Sequence, residues 1–462
     1  MKNDSIEKKD VYLLLKLAMP FALIGLVRAS VWFFETLFLA QLGEKILAAG
    51  ALVSWFFATL AVILFGTLSA INILIAHKHG ENDRESIALI ARDGIFLALL
   101  LSAPAFALLW NMPSIFLLLG QSPEIVAISQ LYLHALAWGI LPNLVMVACL
   151  GVFIGIGQTR IALTFSVISV ALSIATSYVL IFGAFGFTAL GVAGAGWAVT
   201  ISYWFAVVLL IMYIICNNSY RNYFRYVFKI KQLNHLPELL RVGIPLGAMH
   251  CVEVAFFLAL TMSMGLLGSQ VQAANQVVLQ YLGLLMTIMF SIAQAITMRI
   301  GHLLGAKEFY LAEKTAYIGI GLAAGLAALV SVIYWTAPLI PIGLDFNIHD
   351  PANFELIDVI KQFLVICAIF QIFEASRIAY FGALRGYKDT QITLFASVMS
   401  FWCIAMPIGS LCTFYFKLGA ISFWWGMVIG AIMSFMLLHF RFRSKISKLQ
   451  MTSINLVEQA SY

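Results

Sequence analysis

The chain has 462 residues, 62% of them hydrophobic and only 10% charged, with a mean hydropathy of +0.98. A soluble globule of this size needs far more polar side chains to cover its surface, so the composition excludes one and requires an integral membrane protein. The formal charge of +6 could suggest a nucleic-acid partner, but the basic residues fall in short segments between apolar runs and report membrane orientation instead.

The N-terminal MKNDSIEKKD is polar, and the first apolar stretch is long and interrupted by Arg28 and Glu35. It is expected to be retained as a span and not cleaved as a signal peptide. Apolar runs, read against polar and Gly/Pro breaks, predict twelve membrane helices near 12–42, 46–76, 87–110, 124–156, 162–184, 191–215, 238–267, 271–300, 312–337, 353–384, 392–415 and 418–440. Each can cross a hydrocarbon core of about 30 Å, and none alternates like a barrel strand. The fold class is therefore an all-α polytopic bundle.

With the N-terminus in the cytoplasm, cytoplasmic segments carry Lys2, Lys8, Lys9, Lys78, Arg84, Arg160, Arg221, Arg225, Lys229, Lys231, Lys307, Arg385, Lys388, Arg441, Arg443, Lys445 and Lys448. The opposite loops carry only Lys45 and Lys417. This asymmetry predicts both termini on the cytoplasmic side of the membrane. The six cysteines, at 149, 216, 251, 367, 403 and 412, lie mostly in apolar segments without metal-ligand spacing. They imply neither a disulfide framework nor a zinc site.

The basic connector at 217–235 divides the spans six and six, and the halves repeat each other. LLKLAMP, ending at Pro20, matches LLRVGIP, ending at Pro245, a shift of 225 that also carries His77 and Gly80 onto His302 and Gly305. GIGQTRIALT, ending at Thr164, resembles LRGYKDTQIT, ending at Thr393, with a shift of 229. The expected organisation is an N-lobe at 1–215, a cytoplasmic linker at 216–236, a C-lobe at 237–440 and a tail at 441–462. Two parallel six-helix lobes of this kind suit alternating access.

Deeply placed ionisable residues are few: Arg28 and Glu35 in the first span, Glu253 in the seventh, Glu374 and Arg377 in the tenth, with His134 and His250 as weaker candidates. An acid at the bilayer centre costs about 2.5 to 3.5 kcal/mol and usually marks an ion, proton or substrate pathway. Three carboxylates against two guanidiniums leave one acid over. Glu253, with no cation within a turn on its own span, is the expected unpaired acid and the essential coupling carboxylate. Such an acid could carry a proton or, with further oxygen ligands, hold a small cation. Both histidines fit structural roles. Aromatic and amide side chains on the same segments, Phe257, Gln276, Gln280 and Tyr380 among them, would suit flat lipophilic cations. No GxxxxGK[ST] loop is present, so neither an ATPase nor another enzyme is expected, and energy must come from an ion gradient.

The segment from Val242 to Glu253, AANQV at 273–277, GHLLG at 301–305 and GALRGYKD at 382–389 together resemble the multidrug and toxic compound extrusion (MATE) transporters, in their NorM-like branch, over essentially the whole chain. The resemblance implies an antiporter that expels organic cations in exchange for H⁺ or Na⁺. It implies no bound cofactor, no nucleic-acid partner and a monomer embedded in lipid. FFET at 33–36 resembles the family's first-span FVDT, so Glu35 stands where an aspartate is usual. Glu253 matches a seventh-span glutamate, and Glu374 replaces a tenth-span aspartate. These three are the expected ion-coupling residues, with Glu253 and Glu374 as metal ligands only under Na⁺ coupling. Phe257 and Gln276 match positions implicated in drug contact, and Gln280, Tyr380, Arg377 and Arg28 complete the expected substrate site. Phe370 lacks a hydroxyl present in some relatives, and Arg377 adds a cation beside Glu374, which favours H⁺ over Na⁺. A lipid-linked saccharide flippase of the same superfamily is the alternative, with Arg28 and Arg377 facing its phosphates.

Overall fold

A computed structural model gives the fold. It describes residues 2–227 and 232–460, with side chains from 11 to 449 apart from those of 228–231 and 352. Lys229 and Lys231, and the side chains of Lys2, Lys8 and Lys9, all counted above for orientation, lie outside the described residues. Twelve helices are long and apolar enough to cross a membrane. In order, spans 1 to 6 are Val11–Ala40, Glu44–Gly80, Arg84–Leu118, Pro123–Gly155, Thr159–Phe182 and Val192–Cys216. Spans 7 to 12 are Leu236–Gly265, Ser269–Gly305, Phe309–Thr336, Phe354–Gly386, Gln391–Tyr415 and Ile421–Leu449. Each overlaps the apolar run expected for it, and among the described residues there is no β-strand. Several helices run past their apolar stretch, because helical hydrogen bonding does not stop where hydropathy falls. Span 12 continues in this way through Arg441 and Lys445, which lie 2.8 and 4.0 Å from the Asp389 carboxylate.

Two compact units emerge from the packing: Pro20–Gly247, and Ala248–Tyr462 together with Met1–Met19. Their boundaries fall inside spans 1 and 7, beside Pro20 and two residues after Pro245. Pro245 has no amide hydrogen to donate within its helix. The core of the first unit includes Ile71, Leu136 and Phe153, and also Leu239, Val242 and Leu246 from the start of span 7. A buried clasp holds the connector to this unit. Arg92 bonds the Asp93 carboxylate at 2.8 Å and reaches the Gln232 carbonyl, while the His235 amide donates to Asp93 at 2.8 Å. The second unit has two clusters, and Leu14 and Ala18 from the start of span 1 are buried in one of them.

Internally the units are built alike. Four turns of one kind join spans 2–3, 4–5, 8–9 and 10–11, each with a left-handed residue: Asn82, Gly157, Lys307 and Lys388 (φ 59°, 83°, 61° and 57°). In each, the next amide bonds back to a carbonyl five residues earlier at 2.8 to 2.9 Å, capping the helix end. After the first turn, Asp83 accepts from the Ser86 amide and hydroxyl, which holds its carboxyl below the usual range. Close helix approach is repeated too. A Cβ on Gly94 would meet Ile71 at 2.7 Å, and one on Gly319 would meet Ile296 at 2.5 Å. One on Gly155 would meet Ile75 at 2.6 Å, and one on Gly386 would meet Ile300 at 2.7 Å. The first pair keeps the shift of 225. Gly155 and Gly386 are separated by 231 residues, not 229, because the helix ends set the register and the threonines used to align the sequence do not.

Candidate functional site

In the Ala248–Tyr462 unit, spans 7, 10 and 11 bring a charged cluster together. Span 10 presents Glu374 and Arg377 one turn apart. Arg377 Nε donates to Glu374 Oε2 at 2.8 Å, and Nη2 bonds Oε1 of the same carboxylate, a two-point contact. Both Nη atoms also lie 3.1 Å from Glu253 Oε1 on span 7, and the Ser397 hydroxyl on span 11 donates to that oxygen at 3.1 Å. His250 Nδ1 stands 3.8 Å from Glu253 Oε2. The guanidinium carbon is 4.5 Å from the Phe381 ring centre and 4.8 Å from that of Phe401, within cation–π range of both rings. Phe401 lies in a π-helical stretch, Val398–Ala405, where span 11 widens just before Pro407. Arg377 is 1% exposed, Glu374 5% and Glu253 8%.

This geometry corrects the expectation that Glu253 is the unpaired acid. Its partner comes from a different helix 124 residues away, which counting along one span cannot find. Arg385, assigned above to a cytoplasmic segment, is buried at the end of span 10, with its Nε unpartnered and its Nη2 3.8 Å from Met249 Sδ.

The Pro20–Gly247 unit holds a different site. A cavity of about 250 Å³ is lined by Arg28 and Glu35 of span 1, Tyr132 and Asn143 of span 4, Ser166, Ser169 and Ser173 of span 5, and Tyr203 of span 6. Tyr132 lines this cavity together with Glu35 and Ser54. Arg28 lies 5.2 Å over the Phe65 ring. Among the described residues, neither Arg28 nor Glu35 takes part in an ion pair, so the acid without a cationic partner is Glu35. The serines at 166, 169 and 173 are spaced i, i+3, i+7 and so share a helix face. The repeat shifts relate this cavity to the cluster in the other unit: Ser397 corresponds to Ser166, Glu374 to Asn143 and Glu253 to Arg28. The serine stripe and that correspondence were signals in the sequence that motif reading passed over.

Of the remaining expected substrate residues, Phe257 is half-buried, 5.9 Å from the Phe401 ring. Gln276 and Gln280 are exposed on span 8. Tyr380 is buried, with its hydroxyl 2.7 Å from His439 Nδ1. His134 stacks on Trp110 at 3.9 Å and meets its carbonyl at 3.1 Å, a structural role. Among the described residues no three His, Cys, Asp or Glu side chains are grouped to hold a metal ion.

Comparison with known proteins now bears on this arrangement. The MatE family profile matches residues 20–179 and 245–411. The multidrug resistance protein NorM of Burkholderia vietnamiensis is 30% identical over 435 residues, 94% of each chain. A protein of Pseudomonas aeruginosa named as a probable multidrug resistance protein NorM is 30% identical over 90% of this chain and 86% of its own. Among solved structures, MATE in the bent conformation superposes with a TM-score of 0.86 at 20% identity, over 96% of this chain and 99% of its own. The outward-facing conformation of a multidrug resistance MATE family transporter of the MOP superfamily gives 0.84 at 19%, over 95% and 96%. The fold is thus that of these transporters, and this multi-pass membrane protein belongs to the MatE family.

Proposed function

We propose that the protein is a multidrug efflux antiporter, and not an enzyme, which expels amphipathic organic cations in exchange for protons by alternating access. It would act as a monomer in a bacterial inner membrane with both termini cytoplasmic. The names of its relatives support the transport class. The observation that carries the reading is one guanidinium between two buried carboxylates, Glu253 and Glu374. With all three ionised this trio has one negative charge in excess, which the nearby buried Arg385 offsets only at longer range, its Nη2 lying against Met249 Sδ, and incompletely paired charge in low dielectric is costly. One proton or one cationic substrate restores neutrality, and competition between them couples the two flows.

Donors surround Glu253: two guanidinium nitrogens and a serine hydroxyl on Oε1. A sodium ion needs several oxygen acceptors and is repelled by a guanidinium at this distance. A proton needs only a free lone pair, which supports H⁺ coupling. Glu35, with no ion pair, is the second carboxylate able to take part. The flippase alternative needs cations for phosphate groups. Arg377 is engaged by two carboxylates, and Arg28 alone is a small complement for them.

Glu253→Gln keeps shape and most hydrogen bonds while removing the excess charge. In proteoliposomes with an imposed pH gradient and no Na⁺, the wild type is expected to expel ethidium and Glu253→Gln to lose that transport. Normal pumping by the variant would make the acid structural, and efflux appearing only with a Na⁺ gradient would overturn proton coupling.

A further inference from the structure

We infer that Arg385 is a charge barrier, which keeps protons from passing through the Ala248–Tyr462 unit between the cytoplasm and the Glu253–Glu374 pair. This rests on the antiporter reading above, because coupling requires an ion site that opens to one side at a time. Arg385 sits on span 10 eight residues beyond Arg377, about 12 Å along the axis, towards the end that the proposed topology makes cytoplasmic. It is 5% exposed, its Nε bonds nothing, and its Nη2 meets only Met249 Sδ at 3.8 Å. Among the described residues no carboxylate is within ion-pair distance of it, and the charges that act on it from farther off are Glu253 and Arg377. A guanidinium does not shed its charge in proteins, and burying one without a partner is costly. The carbonyls at the end of span 10 favour a cation there, but a helix terminus offsets only a small part of the desolvation. Stability alone does not account for this arginine.

A short polar route in the same unit does. Thr390, Thr393 and Ser397 are buried and, spaced i, i+3, i+7, share one face at the start of span 11, about 10.5 Å long. Thr393 Oγ1 donates to the Thr390 carbonyl at 2.6 Å, and the Ser397 hydroxyl donates to Glu253 at 3.1 Å. This row of hydroxyls runs from the turn after span 10 to the acid itself, and a proton relayed along it would discharge the gradient without moving substrate. The other unit lacks both features. The shift of 231 puts Ile154 at the place of Arg385 and Ala162 at that of Thr393, so where the hydroxyl row is broken there is no arginine. A cation passing within about 4 Å of a fixed guanidinium, at an effective dielectric of about 20, is slowed about a thousandfold.

Proton leak is read in proteoliposomes of the full chain loaded with pyranine, with K⁺ and valinomycin to clamp the voltage and with neither substrate nor Na⁺. The decay of an imposed pH gradient with the wild type is expected to match that of protein-free vesicles. Arg385→Gln should speed the decay at least tenfold, within the thousandfold that the charge can impose. Arg385→Lys should stay tight because it keeps the charge, and Thr393→Val added to Arg385→Gln should restore tightness by breaking the hydroxyl row. A tight Arg385→Gln overturns the inference, as does an Arg385→Lys that leaks equally, since packing and not charge would then seal the unit. A double variant that still leaks overturns the route along span 11. If Arg385→Gln does not fold, Met249→Glu decides: it sets a carboxylate beside the arginine, cancels its field and should leak, and tight vesicles would refute the barrier. Ethidium export by the wild type in parallel vesicles tests the antiporter reading by itself, and its absence overturns that reading whatever the variants leak.

Discussion

Arg377 is a side chain whose removal leaves buried charges without a partner. Truncating it strands the buried Glu253 and Glu374 carboxylates and removes the contacts with Phe381 and Phe401. Breaking a buried ion pair from one side costs about 3 to 5 kcal/mol, so Arg377→Leu is expected to lower the melting temperature sharply in detergent. Arg377→Leu combined with Glu253→Gln and Glu374→Gln should recover much of that loss, since the orphaned charges leave with their partner. A triple variant no more stable than Arg377→Leu would show that the aromatic contacts, and not the charges, carry the cost. The sequence made the two acids and the arginine conspicuous as charges in apolar runs. Glu374 and Arg377 stand one turn apart and so can touch, but the pairing of Glu253 with Arg377 was hidden, because these two meet only through the packing of spans 7 and 10. Arg385 was misread for a related reason: it sits beside the basic residues of a turn, and nothing local reveals that the helix end is buried.

At the scale of helices, glycine decides which spans can close on one another. A Cβ on Gly382 would lie 2.5 Å from the Ala293 carbonyl oxygen and 2.8 Å from its Cα, backbone atoms that cannot move aside. Gly382→Val is therefore expected to wedge span 10 from span 8, lowering thermal stability and, by tilting Glu374 and Arg377, transport as well. Gly325, exposed on span 9 with nothing within 4 Å, should accept alanine with a gain of up to about 1 kcal/mol from reduced backbone freedom. Equal melting shifts for the two variants would refute this reading of the seams. The twelve spans were legible because hydrophobicity alone dictates a membrane helix. Their close contacts were not, since Gly382 and Gly325 look alike in sequence and differ only in what stands opposite.

For the whole molecule, the charge asymmetry gives a topology that labelling can check. With the native cysteines replaced, Lys45→Cys is expected to react with a membrane-impermeant maleimide added to intact cells, and Lys307→Cys only after permeabilisation. The reverse pattern would invert the protein and with it the direction of proposed transport.

The packing also places Leu239, Val242 and Leu246 in the core of the first unit, and Leu14 and Ala18 in that of the second. Each half of the gene thus encodes a plug for the fold of the other. Cut at the connector, the fragments 1–216 and 217–462 would each carry a gap where the missing half-helix belongs and should be degraded when made alone. Made together in one cell, they are expected to accumulate and to copurify. An ancestor of half this length, before duplication, would by the same exchange have been an obligate pair of identical chains.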